Sequence, residues 1–363
     1  MRVHVDILED KKTFLEEWER IYAVSDAAFF LSPAWIETAM ALAPASTAFS
    51  GVRIFDDLRG VYGLALVGSK SARSLFRPHE ARLNESGNEA FDRIYLEYND
   101  FLLAKTTSPE ARLEAICAII EAMPRADEFV FRNARPPLVA AVVAAAERTG
   151  LGWRTLLRQP TYAIDLTQPV IDGFSSALRA KIRRSMRRYE ERGALKLDRP
   201  QGEEERAVAW TELMRLHAQT WQRRGMKGVF GAADFSAFHL RLIEEHPDKT
   251  DLLRLSAGDE TIGILYNFTD QTRAYNYQSG FLYESNNQLA PGFVAHALAA
   301  EHYRERGLQL YDLMGGDADY KRRLGVEGET LHSIALVRDT VKTRLRATLA
   351  SALRGPAAGT HQT

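Results

Sequence analysis

The sequence predicts an α/β (α+β) protein built from two similar halves. Segments with helical spacing of apolar residues alternate with short strand-like runs along the 363 residues. The order of these segments also repeats, because each half shows two helices, a hairpin of strands, a further strand, a helix and a strand. Such a repeat is typical of an internal duplication, although little residue identity accompanies it.

In the first half, two helix starts are indicated by Ser32-Pro33 and Ser108-Pro109, since serine caps a helix and proline suits its first turn. Two strand-like runs joined at Asp56-Asp57 predict a hairpin. A polar insert over residues 69–89 is expected to be irregular. The other predicted elements are a helix near residues 14–22, strands at 94–98, 129–131 and 162–166, and a helix at 137–148.

In the second half, Trp210, Leu213, Leu216 and Trp221 lie in helical register. Gly258-Asp259-Glu260 separates two strand-like runs and predicts their connection. The predicted elements are helices at residues 207–223, 235–245 and 292–306, and strands at 252–255, 262–268 and 273–280.

We place the joint between the halves near residues 168–175. The expected domains are therefore residues 1–167 and 168–340. A helix over residues 341–354 carries an apolar stripe and is expected to dock on the rest; its members are Val341, Leu345, Leu349 and Leu353. The Gly/Pro/Thr-rich tail, residues 355–363, is predicted to be disordered.

The most informative stretch is residues 308–324. Leu308 and Leu310 alternate as in a short strand, and Gly315-Gly316 then allows a sharp turn because glycine accepts positive φ. Tyr320-Lys321 follows just past the strand end, where α/β sheets place ligands. On spacing alone, an equally good interpretation is that Asp312 caps a turn and that the cations after Tyr320 are solvated.

Composition and charge limit the possible functions. The chain is 45% hydrophobic and 26% charged with a net charge of −1, which argues against wholesale nucleic-acid binding. The single cysteine, Cys117, excludes intrachain disulfides and a cysteine zinc cage, and fits a reducing cytoplasm. The longest apolar run, residues 138–146, is too short to span a bilayer, so we expect a cytoplasmic protein. Phosphate-loop, HExxH and GxSxG motifs do not occur.

A series of short segments in the second half resembles the GNAT superfamily, in the branch of BioF-like and CelD/BcsL-type acetyltransferases related to the Fem peptidoglycan aminoacyltransferases. The resemblance covers roughly residues 160–335. The segments are the basic helix at 178–184, residues 216–225, residues 275–281, Pro291-Gly292, residues 311–316 and Tyr320-Lys321. The resemblance implies tandem GNAT-like domains, each with a mixed, mostly antiparallel sheet flanked by helices, the first one degenerate.

The resemblance also implies an acyl-CoA donor, with its phosphates near Gln288, Pro291 and Gly292. GNAT enzymes usually use a Q/R-x-x-G-x-G/A loop there, and residues 286–292 lack the glycine pair. Backbone N–H groups at a helix start still attract phosphate. Arg183 and Arg184, on the basic segment 175–192, would gather an anion: a CoA phosphate, an acidic acceptor or a tRNA acceptor stem. The alternative is an exposed helix that links the halves.

Candidate acceptor-binding residues lie on one predicted helix and one predicted strand. His217, Trp221 and Arg224 share a helical face, and Tyr275 and Tyr277 face the same side of a strand. They would form the acceptor pocket, although Trp221 and the tyrosines are equally typical of a core, and His217 of a satisfied buried histidine.

The proposed catalytic residues are Lys321, Tyr320 and Asp312. The Tyr320-Lys321 pair matches the aromatic-Lys pair that is implicated in catalysis in the Fem relatives. A cation at the carbonyl oxygen stabilises the charge that acyl transfer develops there, and Asp312 could orient the acceptor amine. His296 and His302 lie on different helical faces and are not expected to bind a metal.

The sequence therefore favours an N-acyltransferase that moves an acetyl or other acyl group from acyl-CoA to a small-molecule amine. The links of the resembled family to surface polysaccharide imply a sugar or amino-acid-like precursor as the acceptor. The first alternative is an aminoacyl-tRNA-dependent transferase of the Fem type. The second is a non-catalytic binding module that retains the fold.

Overall fold

Two compact units make up the chain. The computed structural model describes residues 1–58, 60–70, 77–223, 225 and 228–354, with side chains described as far as residue 349. Unit 1 comprises Met1–Arg158 and His332–Thr363, and unit 2 comprises Gln159–Leu331. Residues 332–340, which the sequence analysis assigned to the second domain, belong to unit 1 because residues 332–337 pair with a strand of that unit. The predicted disordered tail lies outside the described residues.

The elements of unit 1 follow the predicted order, with additional short strands. They are β1 (Arg2–Ile7), α1 (Lys11–Tyr22), α2 (Pro33–Leu42), β2 (Thr47–Asp56), β3 (Gly60–Lys70), β4 (Glu80–Leu83), β5 (Leu102–Leu103), α3 (Glu110–Ala122), β6 (Glu128–Ala134), α4 (Pro136–Thr149), the first part of β7 (Gly152–Asp165), the last part of β13 (Val326–Val337) and α10 (Val341–Arg354).

The sheet of unit 1 has the strand order β1-β2-β3-β4-β6-β13, with β5 paired to β3. The pair β4–β6 is parallel, and the other neighbours are antiparallel. Helices α3 and α4 pack on it and form one core, in which Ile334 and Leu336 of β13 are buried. The last strand of the unit is therefore part of its core.

A gap between β4 and β6 is closed by the chain itself. The two strands pair over only three positions, from Glu80↔Glu128 to Arg82↔Val130. Beyond them Asn99 bridges the gap, because its backbone N–H donates to Asn133 O at 3.0 Å and its amide donates to Leu83 O at 3.0 Å. Glu85 and Arg132 form an ion pair across the same gap, with Arg132 Nε 2.9 and 2.8 Å from the two carboxylate oxygens.

The strand predicted at residues 94–98 is not formed. Tyr95 and Tyr98 have φ angles of 48° and 53°, in the left-handed region, so the segment cannot continue a strand. The polar insert, predicted to be irregular, contains β4. Both differences arise because this segment closes the gap in unit 1, which a local pattern does not reveal.

Helix α10 docks on unit 1 through its polar residues. Arg346 bonds Glu80 and Glu128 at 2.7 and 3.0 Å, and Lys342 lies 3.8 Å from Asp127. The predicted apolar stripe instead faces outward, with Val341, Leu345 and Leu349 exposed by 81%, 45% and 56%. The side chain of Leu353 lies outside the described residues.

Unit 2 repeats the element order of unit 1. Its elements are the last part of β7, α5 (Ser176–Glu190), β8 (Leu195–Asp198), α6 (Gly202–Arg223), α7 (Ala233–Glu245), β9 (Thr250–Ala257), β10 (Glu260–Thr269), β11 (Arg273–Phe281), α8 (Pro291–Glu305), β12 (Leu310–Gly315), α9 (Asp319–Leu324) and the first part of β13.

The sheet of unit 2 has the strand order β7-β12-β11-β10-β9-β8. Only β11 and β12 run parallel among these neighbours. Each unit is thus a mixed, mostly antiparallel sheet flanked by helices, and the predicted fold class is confirmed.

The strands β11 and β12 separate after a short pairing. They pair at Arg273↔Leu310, Ala274↔Tyr311 and Tyr275↔Asp312, after which β11 continues beside β10 and β12 beside β7. The register of β10 and β11 shifts at Tyr277, a bulge that bends β11. We call the space between residues 276–281 and 313–315 the strand gap. Asp312 and Lys321, two of the predicted site residues, lie at its edge.

Candidate active site

The end of β12 is held by two of the predicted catalytic residues. Asp312 is buried, and its carboxylate accepts a hydrogen bond of 2.7 Å from Met314 N–H. Met314 has a φ of 64°, so the carboxylate stabilises a backbone turn that a non-glycine residue rarely adopts. Asp312 therefore acts as a turn cap, the second of the two interpretations that its spacing allows.

Lys321 extends from α9 back to this turn. Its side chain is only 8% exposed, and its ammonium donates to Met314 O at 3.2 Å and to Gly315 O. Because a buried ammonium is costly unless it is hydrogen-bonded, the two carbonyl groups fix its place at the end of β12. The ammonium of Lys321 therefore lies at the end of β12, beside the strand gap.

Tyr320, the neighbour of Lys321, stacks on a histidine that the sequence analysis did not assign to the site. The ring centroids of Tyr320 and His296 are 5.6 Å apart, and the angle between the ring planes is 12°. His296 lies on α8 and also contacts Phe281 at the end of β11, with ring centroids 5.9 Å apart. Burial, with a further contribution from the charge of Lys321, lowers the pKa of His296 to about 3.

A chain of buried polar groups leads from His296 into the sheet. His296 Nδ1 lies 3.1 Å from Tyr311 Oη, which in turn donates to Asn267 Oδ1 at 3.5 Å. Asn267 donates to Tyr303 Oη at 2.9 Å and accepts from Asn276 at 2.8 Å. Burial raises the pKa of Tyr311, so its phenol stays protonated and able to donate.

The predicted phosphate-binding residues lie where α8 meets α5. Pro291 is the first residue of α8, and the preceding Ala290 N–H donates to Ser185 of α5 at 2.9 Å. Gln288 accepts from Arg188 of α5 at 3.0 Å. Gly292 is in the first turn, where backbone N–H groups have no partner within the helix.

Two cations flank the same ring beside the start of α8. Lys181 Nζ and Arg323 Cζ lie 5.0 and 4.7 Å from the centroid of Phe293. Arg183 and Arg184 are exposed, and among the described residues neither forms an ion pair. The start of α8 therefore has the positive charges of Lys181 and Arg323 beside it, although Arg323 also lies 3.9 Å from Asp319.

The predicted acceptor residues divide between two environments. His217 is buried and accepts from Trp221 Nε1 at 2.7 Å, and it packs on Phe230 with centroids 4.7 Å apart. Tyr277 lies in the same aromatic cluster, 4.8 Å from His239. Tyr275 instead donates to Asp270 at 2.6 Å. Arg224 lies outside the described residues.

Several residues of the site were not found by sequence reasoning. His296 contacts the predicted Tyr320, whereas Ser185 and Arg323 contact neighbours of the predicted Pro291 and Gly292. His296 and Ser185 are each a single polar residue within a helical pattern, and Arg323 is one of a run of cations. Only Ser185 carried a usable signal, because it is a small polar residue on the buried face of α5, beside Ile182 and Tyr189. Within the described ranges, no group of His, Cys, Asp or Glu residues is arranged to hold a metal ion, and no helix is long and apolar enough to cross a membrane.

Known proteins resemble this chain in fold. The acetyltransferase (GNAT) domain family matches residues 176–322. A crystal structure of FemX superposes with a TM-score of 0.63 at 12% identity, over 96% of this chain and 100% of that chain. No curated protein matches significantly by sequence.

Two further solved structures show the same fold. A conserved protein of unknown function from Bacteroides thetaiotaomicron matches at a TM-score of 0.55 and 11% identity, over 89% of this chain and 97% of that one. L-PGS from Bacillus licheniformis matches at a TM-score of 0.52 and 11% identity, over 96% of this chain and 97% of that one. Unit 2 thus has the fold of a GNAT acyltransferase domain.

Proposed function

We propose that the protein is an N-acyltransferase that moves an acetyl or other acyl group from acyl-CoA to the amine of a small molecule. The observation that carries this proposal is the buried ammonium of Lys321, fixed at the end of β12 beside the strand gap. A thioester carbonyl held there would meet a positive charge that needs no reorganisation during the reaction.

The donor's phosphates would lie at the start of α8. The first-turn N–H groups of Gly292 and Phe293 offer backbone donors, and Lys181 and Arg323, which flank the ring of Phe293, supply positive charge. The closed gap of unit 1 supports the assignment of the donor to unit 2, because Asn99 and the Glu85–Arg132 pair occupy the corresponding space. Unit 1 would then be the degenerate GNAT-like domain.

The reaction would proceed in a ternary complex without an acyl-enzyme. The acceptor nitrogen attacks the thioester carbon, a C–N bond forms, and negative charge develops on the carbonyl oxygen near Lys321. The C–S bond then breaks, the nitrogen loses a proton to solvent and the thiolate of CoA takes one up. Tyr320 would line the site, and Asp312 would hold the turn on which Lys321 depends. The acceptor would bind beside His217, Trp221 and Tyr277, and a sugar or amino-acid-like precursor of surface polysaccharide fits this chemistry.

The experiment that tests the donor is thermal unfolding of the full chain with acetyl-CoA, longer acyl-CoA esters, and deacylated or charged tRNA. We expect a rise in melting temperature with acyl-CoA, since a ligand that binds only the folded state stabilises it. Thiol release would then be measured with glucosamine, glycine and lysine as acceptors.

Replacement of Lys321 tests the catalytic assignment. We expect Lys321→Met to lower the rate of thiol release by about 10²–10³-fold, because the charge at the carbonyl oxygen is lost. Lys196→Met, an exposed lysine of β8 in the same unit, is the matched control and should leave the rate unchanged. Unaltered turnover in a folded Lys321→Met variant would refute this role.

The second candidate is a Fem-type transferase that uses aminoacyl-tRNA. Two observations favour it: the start of α8 lacks the GNAT glycine pair, and Arg183 and Arg184 are exposed without ion-pair partners among the described residues. A melting-temperature response to charged tRNA and to none of the CoA esters would select this candidate. A donor that raises the melting temperature of wild type and of Lys321→Met equally, without turnover in wild type, would favour a binding module.

A further inference from the structure

The position of Lys321 depends on contacts outside its own helix. Helix α9 has six residues, and its N-cap residue makes no side-chain capping bond. A helix this short is not stable alone in water. The place of the ammonium must therefore be set by what α9 packs against.

His296 supplies the packing surface for Tyr320, the residue before Lys321. The two ring planes are inclined by 12°. His296 is 1% exposed and Tyr320 is half-buried, so the histidine side of this contact is shielded from water. The imidazole is itself oriented, because Nδ1 is bonded to Tyr311 Oη and Tyr311 is anchored in the sheet through Asn267. The contacts of His296 thus connect α8, β12 and α9.

The charges around His296 add a second constraint. Burial and, after it, the charge of Lys321 lower the pKa of His296. Among the described residues, the other titratable groups that contact the ring are the phenols of Tyr311 and Tyr320. A neutral imidazole therefore lies beside a fixed ammonium. A charged imidazole would repel it, so the neutral form is the one compatible with Lys321 in place.

We propose that His296 is a positioning residue that holds the Tyr320–Lys321 pair at the end of β12. It acts by stacking on Tyr320 while its Nδ1 bond to Tyr311 fixes the ring plane. The catalytic consequence rests on the proposed function, whereas the positioning itself does not.

The positioning is tested on the full chain by brief acetylation of lysines with acetic anhydride, quantified residue by residue by mass spectrometry. We expect His296→Ala to raise the labelling of Lys321 by about tenfold, because α9 opens more often once Tyr320 loses its partner. His296→Phe keeps a ring against Tyr320 and should retain most of the protection. Lys181 and Lys196 report on the integrity of unit 2 and should not change.

The matched control is His302→Ala. His302 lies on the same helix and is half-buried, but it packs on Tyr303 and contacts neither Tyr320 nor Lys321. Equal labelling of Lys321 in wild type and His296→Ala would overturn the proposal. If His296→Ala raises the labelling of all lysines, the experiment is repeated with Tyr311→Phe. Selective labelling of Lys321 in Tyr311→Phe supports the proposal, and uniform labelling of all lysines overturns it.

A double-mutant cycle tests the catalytic consequence with acetyl-CoA and glucosamine. If His296 acts through Lys321, His296→Ala lowers kcat about tenfold with little change in KM for acetyl-CoA, but has no further effect in a Lys321→Met background. Additive losses would refute action through Lys321. A wild-type chain that turns over none of the donors would reject the proposed function, while the labelling result would still decide the positioning.

Discussion

Two buried histidines of unit 2 are constrained to be neutral. His239 is fully buried among the rings of α6, α7, β10 and β11, and burial lowers its pKa well below the ordinary value. The pKa of His296 is also lowered, by burial and by the charge of Lys321. Each residue therefore binds a proton more readily in the unfolded chain than in the folded one.

This difference predicts a loss of stability in acid. Above about pH 6.5 neither state takes up the proton and His239 has no effect. As the pH falls below that value, the unfolded chain is protonated first, and the free energy of unfolding decreases by about 1.4 kcal/mol per pH unit for each such histidine. We expect His239→Phe to flatten the decrease between pH 6.5 and 5, measured by urea unfolding.

The matched comparison is His246→Phe, a histidine at the end of α7 that is only half-buried. It should leave the pH dependence as in wild type. An equally steep decrease in His239→Phe would mean that His239 is not the group responsible.

The place of Lys321 just past a strand could be predicted at the scale of the residue, but its bonds could not. An aromatic-Lys pair after a strand was a usable signal. The bonds to Met314 O and Gly315 O depend on the left-handed conformation of Met314, which no local pattern indicates at a methionine. For the same reason, the bond from Met314 N–H to the Asp312 carboxylate could not be predicted.

At the scale of elements, α6 approaches β11 closely at Gly280. A Cβ atom at Gly280 would lie 2.8 Å from Leu216 Cβ and 2.9 Å from both His217 N and Leu213 O. Backbone atoms cannot move aside as a flexible side chain can, so this glycine allows α6 to lie directly on β11. The contact also places His217 and Trp221 relative to Tyr277.

We expect Gly280→Ala to destabilise unit 2 by about 1–3 kcal/mol, because α6 must move away from the sheet. Gly173→Ala is the control, since a Cβ there would have no neighbour within 4 Å. Urea unfolding would measure both. A Gly280→Ala variant as stable as Gly173→Ala would show that α6 adapts without cost.

The order of elements could be predicted from the sequence. Which of the two gaps between parallel strands is filled could not. Helices α2 and α8 begin at the predicted proline positions, and the repeated pattern identified both sheets. In each unit the parallel pair extends over three positions only. Residues distant in sequence, such as Asn99 and Arg132, decide whether the gap past these three positions is filled. Local periodicity does not predict the contacts of such residues.

At the scale of the whole molecule, unit 1 is assembled from two separated parts of the chain. Its sheet is completed by residues 332–337, and Arg338 donates to Ala126 O and Ile120 O at 2.9 and 2.7 Å. The sequence analysis ended the first domain at residue 167 because a repeat of elements shows where a pattern restarts. It does not show that a later strand returns to the first sheet.

We expect a chain truncated after residue 331 to lose the cooperative unfolding of unit 1. It would lack the buried Ile334 and Leu336, each contributing about 1.5–3 kcal/mol. Limited proteolysis should then cleave within residues 1–158 while residues 159–331 resist. Truncation after residue 340 removes only α10 and should have a smaller effect. Equal resistance of both truncated chains would contradict the role of β13.

The return of residues 332–337 to the first sheet also has a consequence during synthesis. A ribosome makes all of residues 159–331 before this strand emerges, a delay on the order of ten seconds or more. During that time one side of β6 has no neighbour and offers bare N–H and C=O groups to any nascent chain nearby. Translation speed and chaperone supply should therefore affect the yield of unit 1 more than that of unit 2.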